Sequence, residues 1–217
     1  ATPRWQRFLA EPRQLVLGIA GLLLLASSVL PGLSLRKWLG RRVPILDARL
    51  LAELGTLQAA LSMRRSVRLT SSSRIHSPIA FGCLRLEICL PERALNDLDP
   101  ELTRAMLAHE LMHLVRGDPT WLAVGALVRR TCCFQPLSRR AHARLVHLAE
   151  LACDRGAAQV TGNPLALARS LTEVAGWIQS EPTPVACAMA RARSRLEERV
   201  ACLLAGRVQP ERSGARC

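Results

Sequence analysis

The hydrophobic pattern changes character three times along the chain. From Leu15 to Leu30 it is an unbroken uncharged run, LVLGIAGLLLLASSVL, bracketed by Arg13 and Pro31. With Gln14 and Gly32–Leu35 the uncharged stretch reaches 22 residues, near the ~20 that a membrane-spanning helix needs. A signal peptide and a buried hairpin are the competing readings. Ala26-Ser27-Ser28 is a poor cleavage site, however, and the segment ahead of the run is long for a signal. Residues 15–35 are therefore expected to cross a membrane once, with residues 1–14 as a flank. Beyond them, Leu50, Leu54, Leu57 and Leu61 recur at helical spacing behind a capping Asp47. The period then shortens. Val67–Thr70, Ile79–Gly82 and Leu86–Leu90 are expected strands separated by Ser, Pro and Gly, and Pro91 closes them.

After Pro91 the helical period returns. Asp99-Pro100-Glu101 combines a capping carboxylate, a first-turn proline and a first-turn acid, and Gly117 stops the helix they start. Leu102, Met106, Leu107, Leu111 and Leu114 make both faces apolar, so this helix should be buried. Trp121–Val128 is too short to span a membrane and belongs in the core or at a membrane interface. Further helices are expected from Leu137 to Val160, from Asn163-Pro164 to about Pro182, and over Leu196–Leu204. There is no internal repeat. The expected class is α+β: a helical core on a small sheet over residues 36–206, then a polar tail over 207–217.

Composition narrows the partners. With 49% apolar and 22% charged residues among 217, a packed core is expected rather than disorder. The formal charge is +13, but Lys37 is the one lysine among 30 basic residues, tyrosine is absent and aromatics are 3%. That pattern is a compositional preference for arginine, without the stacking aromatics of a nucleic-acid groove, so no nucleic-acid partner is expected. An anionic membrane surface suits so many arginines better. Arg36, Lys37, Arg41 and Arg42 follow the apolar run and favour a cytoplasmic body. The eight cysteines form no CxxC pair and fall mostly in apolar helical contexts, as reduced thiols of a cytoplasmic body do.

The chemistry lies in His109-Glu110-Leu111-Met112-His113. Histidines four apart on one helical face can bind one zinc ion, and the Glu between them is placed to take a proton from a zinc-bound water. A catalytic zinc needs a third protein ligand and an open position. His76, His142, His147, Glu150 and Asp154 are the candidates. Glu150 and Asp154, four apart in the apolar stretch Leu148–Ala152, need partners if they are buried. Glu150 on zinc, with Asp154 accepting the other ring N–H of a ligating histidine, meets that need. The alternative is an exposed helix in which Arg144 or Arg155 pairs with them. Because the chain lacks tyrosine, a second donor for the carbonyl oxygen would fall to His147, His142 or an arginine such as Arg155.

HELMHLVRGD, FQPLSRR and AELACDRGAA together resemble the BlaR/MecR-type zinc metalloprotease family, the gluzincin domain of beta-lactam-sensing receptors. SPIAFGCLRLEICLPE ahead of the motif and SRLEERVACLLAG after it are similar to flanking segments of that family, so the likeness covers roughly residues 40–206. The HtpX and CAAX-prenyl-protease families share the same two motifs. The resemblance implies His109, His113 and Glu150 as zinc ligands, Glu110 as the base, and Asp154 and Asp118 as supporting carboxylates. It also implies a membrane-anchored endopeptidase acting on a protein or peptide. The chain departs from the family in having one candidate span and Phe134-Gln135-Pro136-Leu137 where an aromatic-Asn-Pro-Leu is usual. Ser34-Leu35-Arg36-Lys37 spells SxxK without SDN or KTG and is taken as coincidence. The rival reading is a membrane-tethered scaffold whose zinc is structural, with Cys153 as the fourth ligand.

Overall fold

The computed structural model describes residues 42–132, 134–179 and 186–205. The expected flank over 1–14, the span over 15–35 and the tail over 207–217 lie outside the described residues. No helix among the described residues is long and apolar enough to cross a membrane.

Among the described residues, four strands and seven helices follow in the order β1 (Val43–Pro44), α1 (Ala48–Ala60), β2 (Val67–Ser72), β3 (Ile79–Phe81), β4 (Leu86–Pro91), α2 (Glu92–Asn96), α3 (Pro100–Arg116), α4 (Asp118–Thr131), α5 (Pro136–Thr161), α6 (Pro164–Gln179) and α7 (Ala186–Leu204). The mixture of a helical body with a small sheet is the expected α+β class. Asp47 caps α1 as its position suggests, accepting from the backbone N–H groups of Arg49 (2.8 Å) and Leu50 (3.3 Å). Asp99 occupies the corresponding position of α3, but its side chain makes no capping hydrogen bond. The Thr103 N–H and hydroxyl instead donate to the Asp99 carbonyl, at 3.0 and 3.1 Å. Two short elements went unpredicted: β1 has two residues and α2 five, below the length at which periodicity carries a signal.

The sheet order is β1-β2-β4-β3, with β2 and β4 parallel and both outer strands antiparallel to their neighbours. Ile88, Cys89 and Leu90 of β4 are wholly buried although their side chains alternate between faces, as expected of a strand covered on both sides. Helix α3 is the hub, packing on α1, α4, α5, α6 and the sheet. Leu107, Ala108 and Leu111 are fully buried there, in keeping with apolar residues on both of its faces. Gly117 ends α3 with φ +70°, a left-handed cap that turns the chain straight into α4.

Candidate metal centre

Three helices supply the polar cluster at the centre of the molecule. Helix α3 contributes His109, Glu110 and His113, α5 contributes Glu150 and Asp154, and α7 contributes Arg199. One turn of helix puts His109 and His113 on the same face, with Nε2 atoms 3.2 Å apart. Glu150 completes a triangle: Oε2 is 3.6 Å from His109 Nε2, and Oε1 is 3.7 Å from His113 Nε2. A tetrahedral ion with arms of ~2.1 Å has ligand–ligand edges of about 3.4 Å. The Nε2 pair and the two histidine–carboxylate contacts, each through a different Glu150 oxygen, are within a few tenths of an ångström of that.

The other ring nitrogens bear on how a cation would fit there. Asp118 Oδ2 is 2.9 Å from His113 Nδ1. Asp154 Oδ1 is 3.0 Å from His109 Nδ1, an ion-pair contact at an angle short of a hydrogen bond. Carboxylates at both Nδ1 atoms hold protons there and leave both Nε2 lone pairs facing one another. Two lone pairs at 3.2 Å repel unless a proton or a metal lies between them. Burial lowers the basicity of His109, but the carboxylates of Asp154 and Glu150 outweigh it and hold the pKa at about 9. Without a metal, a proton therefore takes the cation's place. Burial also opposes ionisation of Glu150 and Asp154, yet His109 and Arg199 hold both below the usual carboxylate range. Glu110 is different: its own burial is the largest influence and raises its pKa.

Gly117 matters to this centre because its left-handed turn brings Asp118 back onto His113, one turn behind it on the chain. Cys153 lies on that far side too, 3.3 Å from His113 Nδ1 and donating to Asp118 Oδ2 at 3.2 Å. It therefore supports Asp118 and is not part of the Nε2 triangle. Burial, then Asp118, pushes its thiol pKa well upward. The other candidates fall elsewhere. His76 is exposed, and His142 packs where a Gly125 Cβ would come within 3.0 Å of its ring. His147 is buried with Nε2 3.3 Å from Glu198 Oε2, and it does not line the central cavity.

Arg199 was not singled out from the sequence. Its Nε and Nη2 donate to Asp154 at 2.6 and 2.7 Å, Nη1 is 2.8 Å from Glu150 Oε2, and Nη2 is 3.5 Å from His109 Nε2. The expected alternative pairing through Arg144 or Arg155 is not found, since both side chains are exposed. One signal could have found Arg199. It sits on the apolar stripe Leu196, Val200 and Leu203, and an arginine on a buried stripe requires a buried acid.

All of this opens on a cavity of about 700 Å³. His109, Glu110, His113, Glu150 and Arg199 line its polar end, and Leu122, Leu167, Leu171 and Val174 are among its apolar walls. Ile79 and Ala80 of the outer strand β3 also line it. Such a cavity holds a small polar reacting centre beside room for apolar side chains.

"Protease HtpX homolog 1" of Streptomyces coelicolor is 31% identical over a match that covers 51% of this chain and 49% of the relative. The chain thus spans about half the length of that curated relative. The family model described as BlaR1 peptidase M56 matches residues 11–203. By that match the chain belongs to the BlaR1 peptidase M56 family.

Proposed function

We propose that the protein is a membrane-anchored, zinc-dependent endopeptidase in which His109, His113 and Glu150 hold the metal and Glu110 is the general base. The single observation that carries this reading is the cluster of His109, His113 and Glu150, one ligand atom from each lying within 4.8 Å of the others, beside Glu110 on the lining of the cavity. Zinc bound there supplies a water of lowered pKa and polarises a carbonyl oxygen. Every other function falls to the chain. Glu110, raised in pKa by burial, takes a proton from the attacking water and returns it to the leaving amine. Asp118 and Asp154 fix the two imidazoles with Nε2 toward the cavity. Arg199 uses three N–H groups on carboxylates. A guanidinium has five, and Nη2 directs a fourth toward His109 Nε2 at 3.5 Å, so one on Nη1 remains to meet the substrate's carbonyl oxygen, a task assigned to Arg199 rather than to His147. The free side of β3 accepts the substrate backbone as an added strand, which makes the substrate a protein or peptide in extended conformation. Residues 15–35 provide the anchor, and the body faces the cytoplasm.

The structural-zinc reading is disfavoured by the position of Cys153, which is behind His113 and not at the fourth corner. Glu110→Gln tests the proposal. It keeps shape and charge-free volume while removing the base, so zinc should stay near one per chain while casein cleavage falls by about 10²–10⁴-fold. A zinc-loaded variant cleaving at the wild-type rate, or wild-type cleavage indifferent to chelation, would refute it.

A further inference from the structure

Between Asp118 and Glu150 the chain carries no carboxylate and five arginines: 129, 130, 139, 140 and 144. In the same stretch Trp121, Phe134 and Leu137 are 64%, 83% and 62% exposed. A folded surface seldom leaves a tryptophan and a phenylalanine this open in an arginine-rich stretch. The helix pair places them together. Gly125 of α4 packs against His142 and Leu145 of α5 across the connection at 132–135, so the two helices run antiparallel. Exposed Trp121, Val124 and Val128 recur at i, i+3, i+7 on one flank of α4. Leu137, Leu145 and Leu148 recur at i, i+8, i+11 on α5. With the helices antiparallel, the helical angles put both stripes on the same side of their contact line. Phe134 sits between them at the tip.

We propose that this face of the α4–α5 hairpin docks on an anionic lipid surface. Aromatic and aliphatic side chains on one stripe, with arginines along its margins, are the chemistry of an interfacial helix: the rings enter the headgroup boundary and the guanidinium groups bind lipid phosphates. The apolar run at residues 15–30 is not the occupant, because it has no charge to set against Arg139, Arg140 and Arg144, all exposed. Leu122, next to Trp121, lines the cavity, so docking holds the cavity mouth close to the headgroups and restricts substrates to segments at that depth. The inference needs the anchoring proposed above only for proximity, and it does not depend on the metal chemistry.

The test uses the full chain reconstituted in phosphatidylcholine vesicles with or without phosphatidylglycerol. A photoreactive benzoylphenylalanine replaces either Phe134 or Leu165, the latter 48% exposed on α6. Mass spectrometry then reads what each probe captures. The expected result is a phospholipid adduct at 134, stronger with phosphatidylglycerol, and little at 165. Each arginine near an anionic surface contributes about fivefold in partitioning. Arg139→Glu, Arg140→Glu and Arg144→Glu together should therefore lower the adduct at least about tenfold without changing thermal unfolding in detergent. Adducts to residues 15–35, adducts to another protein, equal yields at 134 and 165, or indifferent yields on charge reversal would each overturn the proposal. Alkaline extraction of the membranes reports separately on the 15–35 anchor, so failure of the one is not failure of the other.

Discussion

Replacing Arg199 by Gln should destabilise the protein most when no metal is bound. The guanidinium is 15% exposed, Asp154 4% and Glu150 30%. Its removal strands one almost fully buried carboxylate and one partly wetted carboxylate near Glu110. Breaking a buried ion pair from one side costs about 3–5 kcal/mol. Glu150, nearer to water, adds little to that because solvent screens it, so about 3–4 kcal/mol is expected. For a domain of this size each kcal/mol lowers the unfolding temperature by about 2–4 °C, which makes the loss roughly 6–16 °C. Zinc gives Glu150 another positive partner but leaves Asp154 with His109 alone, so the gap should narrow with metal and not close. Arg199→Lys should recover less than half, because an ammonium cannot span both carboxylates as the fork does. In the double variant with Asp154→Asn, the losses should fall short of their sum by about 0.5–3 kcal/mol. The assay is thermal unfolding in detergent, with chelator and with zinc. An Arg199→Gln protein that unfolds with the wild type in chelator would show that the clamp holds nothing.

Asp118→Asn should weaken zinc binding by about 10–100-fold while leaving one site per chain, which metal titration with a competing chelator reads; unchanged affinity would show that Asp118 does not tune His113. In the chelated protein, His109 is raised from 6.5 to about 9. Its stabilisation is therefore complete below about 6.5 and is lost as pH rises through about 9. Glu110, also raised, acts in the same direction, so the unfolding temperature should fall between pH 7 and pH 9.5; a flat or rising profile would contradict this. Glu150 and Asp154, both lowered, stabilise above their unfolded values and lose that contribution as pH falls through the folded ones. Native protein treated with a thiol reagent at pH 8 should be modified at exposed Cys83 and Cys202 and spared at Cys153, which is buried with its thiol pKa raised. Early modification of Cys153 would mean that α5 opens.

Legibility in the sequence followed distance along the chain. Within one helix the spacing rules are geometric, so His109 with His113, and Glu150 with Asp154, could be put on common faces before any fold was known. The three longer strands and the major helices were legible because apolar period and stop residues coincided, as at Gly117 and Gly162, both left-handed in the structure. The start of α7 was not. Apolar positions over Leu196–Leu204 suggest nine residues, whereas the helix begins at Ala186, because arginines in that first part give no periodic signal. Arg199 was hidden for another reason: in an arginine-rich chain, residue type does not show which guanidinium turns inward. Its partners are 45 and 90 residues away, and only the tertiary fold relates them. His147 illustrates the converse. Its type suited a catalytic donor, but packing gave its ring to Glu198 on α7.

The short outer strand β3 has a consequence for crowding. Among the described residues its outer side has no strand partner, and an open sheet edge will accept another copy of the same chain as readily as a substrate. Here the hazard is confined to Ile79–Phe81, with Pro78 just ahead of the strand; a proline has no N–H to offer a neighbour. The opposite edge is two residues, one of them Pro44. Edge-to-edge growth into long ladders is therefore blocked at the β1 end of the sheet. A dimer joined through Ile79–Phe81 remains open to it, and such a dimer would cover part of the lining of its own cavity. At high local concentration the protein would be restrained by its own copies, and dilution would release it.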